Sequence, residues 1–326
     1  MYNIFQTHTG KIYVDTARRL EFLTVGDYGK ENNIKADFLG YDREINGVRH
    51  RDVDLREKWV ATISTQKGCP MSCQFCDVNK YGFYGNCSLD DLKYQIQTII
   101  ENEDVHETKR FNVHFARMGE PTFNPDVLHF TMMLSTMIRG FGLRADVVHP
   151  VVSTMLPRYN PGLLEFLQTW CEIKNRYLAG EAGLQFSINS TSDEQRKVQF
   201  DEKSLELQRI SNLADMLPAP VGRKYTLNFA VTENTELDAA KLSDLFDKSK
   251  WVVKITPIHR SRSAVLNGYD IGDTYTDYNV YRKFEQPLME AGWDVIVFVP
   301  SVEEDSDRIT CGNALISQNN SLEEKK

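Results

Sequence analysis

The chain has 326 residues, 41% hydrophobic and 26% charged, with a formal net charge of −8; this is enough apolar mass for one large globular domain or two ordinary ones. Six cysteines in this length exclude a disulfide scaffold, no run approaches the ~20 apolar residues of a membrane span, and Met1 to Gln6 lacks the basic-then-apolar pattern of a secretory signal. The acidic balance disfavours a nucleic-acid binder without excluding one, since a local basic stripe can sit on an acidic protein, and free thiols point to a reducing cytoplasm with no membrane contact.

In chain order, residues 1–55 read as a small N-terminal extension in which Lys11-Ile12-Tyr13-Val14 predicts a strand. From 56 to 316 strands and helices alternate. The predicted strands are Trp59 to Ser64, Phe111 to Ala116, Ala145 to Val152, Leu184 to Ile188, Tyr225 to Val231, Trp251 to Ile255 and Asp294 to Val299. The predicted helices are Leu89 to Glu101 with Ser88 as N-cap, Pro125 to Ile138, Pro161 to Arg176, Asp193 to Met216, Asp238 to Phe246 and Val280 to Ala291. Residues 317–326 are polar and read as a disordered tail. Repeated β-α units imply parallel strands with right-handed crossovers. They are compatible with an open doubly wound sheet or an incomplete barrel, and either gathers function at the C-terminal strand ends.

The first of those ends carries Gly68-Cys69-Pro70-Met71-Ser72-Cys73-Gln74-Phe75-Cys76, a C-x3-C-x2-C spacing. Three thiolates this close can ligate three corners of a cubane 4Fe–4S cluster, which normally takes four cysteines. No fourth cysteine has matching spacing, so one iron is left open to bind a substrate or cofactor as a Lewis acid. A structural zinc site wants four ligands in paired C-x2-C halves, and no second half exists here.

With its open iron and β-α context, this loop resembles that of the radical S-adenosylmethionine (SAM) enzymes. The resemblance implies a partial (β/α)6 barrel with the cluster at its mouth and a C-terminal strand and loop segment. Further motifs resemble the RlmN/Cfr-type adenosine methyl synthases in order from about residue 58 to 315: Ser64-Thr65-Gln66-Lys67-Gly68 before the cysteines, Met118-Gly119-Glu120-Pro121 with Asn124, Val152-Ser153-Thr154, Phe186-Ser187-Ile188-Asn189, Asp193-Glu194-Gln195-Arg196, Ile255-Thr256-Pro257-Ile258-His259 and Thr310-Cys311-Gly312. By this likeness Cys69, Cys73 and Cys76 hold the cluster, and Gly119, Glu120, Ser153, Ser187, Asn189 and His259 contact SAM. The same likeness makes Cys311 the candidate catalytic methyl carrier. A 5′-deoxyadenosyl radical is expected to activate the methyl for transfer to RNA or a nucleotide, with flavodoxin or ferredoxin as electron donor.

The chain also departs from that family. Its resolving cysteine lies seven residues before the first cluster cysteine, where this chain has Thr62. The expected upstream glutamate has no match in register, with Arg49 nearest, and 55 residues leave no room for the family's N-terminal helical RNA-binding domain. Asn189 and His259 replace two residues of the family's SAM pocket. Two other readings stand beside methyl transfer: a radical SAM enzyme acting directly on another substrate, and an iron–sulfur sensor or binding protein, for which a SAM pocket has no use.

Overall fold

The computed structural model describes residues 2–25, 43–45, 48–50, 55–269, 272, 274–275, 277–300 and 302–317. Apart from Ser317, the expected tail lies outside the described residues. The chain opens with an antiparallel meander, β1 (Asn3–Gln6), β2 (Gly10–Asp15) and β3 (Leu20–Val25). A separate hairpin follows, β4 (Arg43–Ile45) with β5 (Val48–His50). β6 (Trp59–Thr62) leads into a second small hairpin, β7 (Gln66–Gly68) with β8 (Phe83–Asn86). Then come β9 (Glu107–Phe115), β10 (Arg144–Thr154), β11 (Gly183–Ser187), β12 (Tyr225–Val231), β13 (Trp251–Pro257) and β14 (Val295–Val297).

Ten of these strands form one sheet in the order β1-β2-β3-β6-β9-β10-β11-β12-β13-β14. β6 is antiparallel to β3 and parallel to β9, and every later pairing is parallel. This order decides between the two architectures that the β-α pattern allows. A doubly wound sheet reverses its strand order at a switch point. Here each new strand adds on the same side, so right-handed crossovers put the helices on one face and the sheet curls as a partial barrel. The meander extends that sheet beyond β6, so residues 3–25 share its hydrogen bonding.

Strand alternation separates two faces. Trp59 and Ala61, Phe111, Val113 and Phe115, Leu184 and Phe186, Leu227 and Phe229, and Trp251 and Val253 are fully buried under the helices. The intervening residues, among them Thr62, His114, Gln185, Ser187, Asn228 and Lys254, are half-buried on the inner face. No helix among the described residues is long and apolar enough to cross a membrane.

The helix Leu89–Glu101 has the predicted bounds, and Ser88 caps it reciprocally: its hydroxyl accepts from Asp91 N at 3.1 Å and its N–H donates to Asp91 Oδ2 at 3.1 Å. Two other helices differ from expectation. The segment from 161 to 176 becomes Leu163–Glu172 followed by a π turn, Ile173–Tyr177. The segment from 193 to 216 splits into Asp193–Gln199 and Leu207–Asp215. The break follows from Arg196, whose buried guanidinium donates to Ser187 O (3.1 Å), Ile188 O, Ser204 Oγ and Leu205 O (3.1 Å). Those bonds fold the turn at 200–206 back against the end of β11, with Asp201 and Glu202 at positive φ. Removing the cap by Ser88→Ala should cost about 1 kcal/mol of stability, read from the urea midpoint at unchanged slope.

Candidate active site

The cysteine loop sits at the C-terminal end of β6 and is tied to four other segments. Cys69 N donates to Gly82 O at 3.0 Å and Gln74 N to Gln199 O at 2.9 Å. Ser261 Oγ donates to Phe75 O at 2.7 Å, and Asn267 Nδ2 to Gln74 O at 2.6 Å. Asp77 receives the amides of Arg262 and Ser263, while its own N–H donates to Gly312 O at 2.8 Å. Around the loop lie Met71, Met155 and Phe200, with Phe75 edge-on to Phe200 and Tyr269.

This setting fits an iron–sulfur cluster. Burial pushes the Cys69 thiol up to about 12 and raises Cys73 and Cys76 as well. The remaining repulsion on Cys73 comes chiefly from Cys76 and Cys69, and on Cys76 from Cys311 and Cys69. Positively charged irons are what three crowded thiolates in an apolar pocket call for. Backbone N–H groups of Met71 and Gly119 favour the Cys69 thiolate and that of Val78 the Cys76 thiolate, the hydrogen bonding that tunes cluster sulfurs. Among the described residues no three His, Cys, Asp or Glu converge on a single metal ion. A cubane makes a different demand, since each cysteine ligates its own iron at a separate corner.

The six residues expected to contact SAM lie at or just beyond the C-terminal ends of β9, β10, β11 and β13, the rim that carries the cysteine loop. Gly119 has φ +99°, and a Cβ there would lie 2.6 Å from Gln66 Cβ, so only glycine lets the strand end close on the loop. Glu120 is buried and donates its N–H to Gln66 Oε1 at 2.9 Å. Its carboxylate accepts from Thr122 N (3.2 Å), Thr122 Oγ1 (2.8 Å) and Met155 N (3.0 Å), joining the ends of β9 and β10, and burial raises its pKa.

Ser153 and Ser187 are half-buried on the inner face of β10 and β11. Asn189 takes a left-handed conformation (φ 59°) and straps β11 to β12: its N–H donates to Asn228 O at 3.1 Å and its Oδ1 accepts from Ala230 N at 3.2 Å. His259 Nδ1 lies 2.8 Å from Tyr275 Oη and 3.8 Å from Asp305. Burial lowers its pKa against the pull of Asp305 and Glu304, which favours the neutral imidazole.

Cys311 reaches the same rim from the other end of the chain. Its sulfur is 3.5 Å from Ala116 O, and the next residue, Gly312, sits where a Cβ would be 3.7 Å from Cys76 Sγ. Cys311 is accessible to solvent, yet enclosure by protein raises its thiol, with Arg117 and Lys254 pulling the other way. A group both accessible and enclosed faces a concave surface.

The segment carrying Cys311 is held by Glu21 and Arg117, two fully buried residues to which sequence reasoning assigned nothing. Arg117 donates from Nε to Glu21 Oε1 at 2.8 Å and again from Nη2. It also donates to Thr310 O at 3.2 Å and Asn313 O at 3.3 Å. Glu21 in turn accepts from Leu315 N at 3.1 Å and Ile316 N at 2.6 Å.

Thr62 stands on the inner face at the end of β6, opposite His114. Cys87 and Cys171 are fully buried in the main core, and burial raises both thiols, Cys171 to about 11. The inner-face residues His114, Gln185, Asn228 and Lys254 were also missed. The signal for them was present: a strand buried on both faces reads as continuously apolar, whereas Val113-His114-Phe115, Leu184-Gln185-Phe186, Leu227-Asn228-Phe229 and Val253-Lys254-Ile255 alternate.

No protein-family model matches the chain. It is 23% identical over 283 residues to a probable dual-specificity RNA methyltransferase RlmN of Koribacter versatilis, covering 84% of this chain and 70% of that protein. It is 25% identical over 209 residues to the corresponding protein of Pseudothermotoga lettingae, and 28% identical over 192 residues to that of Aliarcobacter butzleri. Those two alignments cover 62% and 57% of this chain, which spans 56% and 49% of the relatives' own lengths. A radical SAM methyltransferase from Sphaerobacter thermophilus shares the fold, with a TM-score of 0.61 at 15% identity over 96% of this chain and 80% of that one. In sequence the chain is thus similar to RlmN-type proteins, and in fold to a radical SAM methyltransferase.

Proposed function

We propose that this protein is a radical SAM enzyme that transfers a methyl group to RNA or a nucleotide through Cys311. One observation carries the reading: an accessible cysteine from the C-terminal segment is seated on the loop of Cys69, Cys73 and Cys76, with Gly312 O bound to the amide that follows Cys76. The names of the relatives, RNA methyltransferases, support the reaction class and the substrate. When bound, the cluster and SAM supply a 5′-deoxyadenosyl radical. Cys69, Cys73 and Cys76 would hold the cluster, and Phe75, Met71 and Met155 exclude water from it. Gly119, Glu120, Ser153, Ser187, Asn189 and His259 would line the SAM pocket on the same rim. Cys311 would accept the methyl on its sulfur, its thiolate favoured by Arg117 and Lys254. The electron comes from a donor such as flavodoxin or ferredoxin.

Release of product distinguishes this chain from its relatives' pattern. Three cysteines belong to the loop, Cys311 is the carrier, and Cys87 and Cys171 lie inside the core. No described thiol is placed to form a disulfide with Cys311. Under this reading release would use no second cysteine of this chain. Thr62 and the buried Cys87 and Cys171 also favour a second reading, in which the radical acts directly on a substrate and Cys311 is a hydrogen donor or bystander.

Anaerobic reconstitution with iron and sulfide, followed by SAM and dithionite, separates the two. Methyl transfer predicts S-adenosylhomocysteine and 5′-deoxyadenosine together, with one methyl on the peptide containing Cys311. Cys311→Ala should lose the protein methyl and lower 5′-deoxyadenosine formation, because the S-methyl that gives up the hydrogen is gone, whereas Cys69→Ala, Cys73→Ala or Cys76→Ala should abolish the cluster's visible absorbance. 5′-Deoxyadenosine without any methylated Cys311 would establish the direct reading. A fully loaded cluster that never cleaves SAM would sink both.

The buried pair makes a separate prediction. Glu21→Gln leaves the Arg117 charge uncompensated and should cost about 3–5 kcal/mol, measured by thermal unfolding. Hydrogen exchange at Leu315 and Ile316 should accelerate, and methylation of Cys311 should fall more than SAM cleavage does.

A further inference from the structure

The inner face of the barrel carries a cation that neither the cluster nor the SAM pocket uses. Lys254 interrupts the apolar run Trp251-Val252-Val253-Lys254-Ile255 and is half-buried at the centre of β13. Strand register sets it level with Asn228 on β12, which is in turn level with Ser187 on β11, so a polar row crosses three strands. Among the described residues Lys254 makes no ion pair and no side-chain hydrogen bond. Its ammonium lies over the ring of Phe298, 5.0 Å from the centroid.

The charged and titratable groups that act on Lys254 are Lys58 and Cys311, and those that act on the neighbouring His114 are Lys254, His149 and Lys58. No carboxylate is among them. Burial lowers Lys254 to about 8, which still leaves it mainly charged at neutral pH, and lowers His114 to about 3. Cys311 is the one acid among those groups, and enclosure raises its thiol, so until that thiol ionises the enclosed ammonium has no anionic partner, which opposes folding. Its place on the open inner face is explained if a ligand brings the counter-ion.

We propose that Lys254 binds an anionic group of the substrate, a phosphate or a carboxylate, inside the barrel beside the Cys311 sulfur. The proposal rests on reading this inner face as the substrate site. It deepens that reading by specifying charge: the part of the substrate that enters the barrel is anionic, and Asn228 and Lys254, level on adjacent strands, supply amide and ammonium partners for its oxygens.

The test is the thermal midpoint of the cluster-loaded protein, with SAM at saturation, in inorganic phosphate or malonate against chloride at equal ionic strength. The wild type should be stabilised by one or both anions, and the effective anion identifies the source as phosphate or carboxylate. Lys254→Arg should keep the response. Lys254→Met should unfold at a higher temperature than wild type in chloride and respond to neither anion, an outcome that a purely structural lysine would not produce. Three results would overturn the proposal: no stabilisation of the wild type by either anion with or without SAM, an undiminished response in Lys254→Met, or a response confined to a parallel measurement without SAM, which would assign Lys254 to the SAM carboxylate. The readout needs no turnover. Failure of SAM cleavage would thus count against the proposed function and leave the anion response to be judged on its own.

Discussion

The ion pair between Glu21 and Arg117 joins three parts of the chain that sequence keeps far apart: the N-terminal meander, the end of β9 and the C-terminal segment at 310–316. Two charges in a fully buried position are costly to desolvate, and they persist only where further hydrogen bonds satisfy them. Here the carboxylate takes two backbone amides of the C-terminal segment while the guanidinium takes two of its carbonyls. The pair thus reads the backbone of that segment from both sides and sets where Cys311 sits. The segment 310–316 joins no strand, so this pair and the Asp77 N–H bond to Gly312 O hold it over the barrel mouth.

The second constraint is monotonic strand order. Because each strand from β9 to β14 adds on the same side of β6, helices cover one face and the other is left to curve around a partly open interior. Every strand therefore has two chemistries at a period of two. Trp251, Val253 and Ile255 complete the core, while Lys254 between them faces inward. The rim loops then close over the interior with glycine and buried carboxylate devices. Gly119 lets the end of β9 touch Gln66, and Glu120 spans to Met155 at the end of β10.

The cysteines sort by the same geometry. Cys69, Cys73 and Cys76 occupy a loop whose carbonyls and amides are anchored by residues from 199 to 312, so their spacing is maintained from outside as well as by their own turn. Cys87 and Cys171 behave as small apolar side chains in the core, and Cys311 is the accessible one. Chemistry and packing thus divide six identical residue types among three environments.

Much of this was legible in the sequence. The C-x3-C-x2-C loop, the Gly119-Glu120-Pro121 turn, the Ser88 cap and the strands from Trp59 to Val299 follow from local spacing, periodicity and capping chemistry, and local rules act over a few residues. What the sequence could not determine is what long-range contact decides. It left open a doubly wound sheet or a barrel, because strand order is a property of pairing between distant segments. It ran one helix through residues 193–216, because the reach of Arg196 to Ser204 and Leu205 is invisible to propensity. It could not tell that Cys87 and Cys171 are buried in the core. It gave Glu21 and Arg117 no role, since a buried pair 96 positions apart has no local signature. The sequence by itself determined the C-x3-C-x2-C loop and the order of the β-α units. Only the tertiary structure brought Cys311 onto that loop and turned Lys254 inward, because both depend on which surfaces the folded sheet encloses.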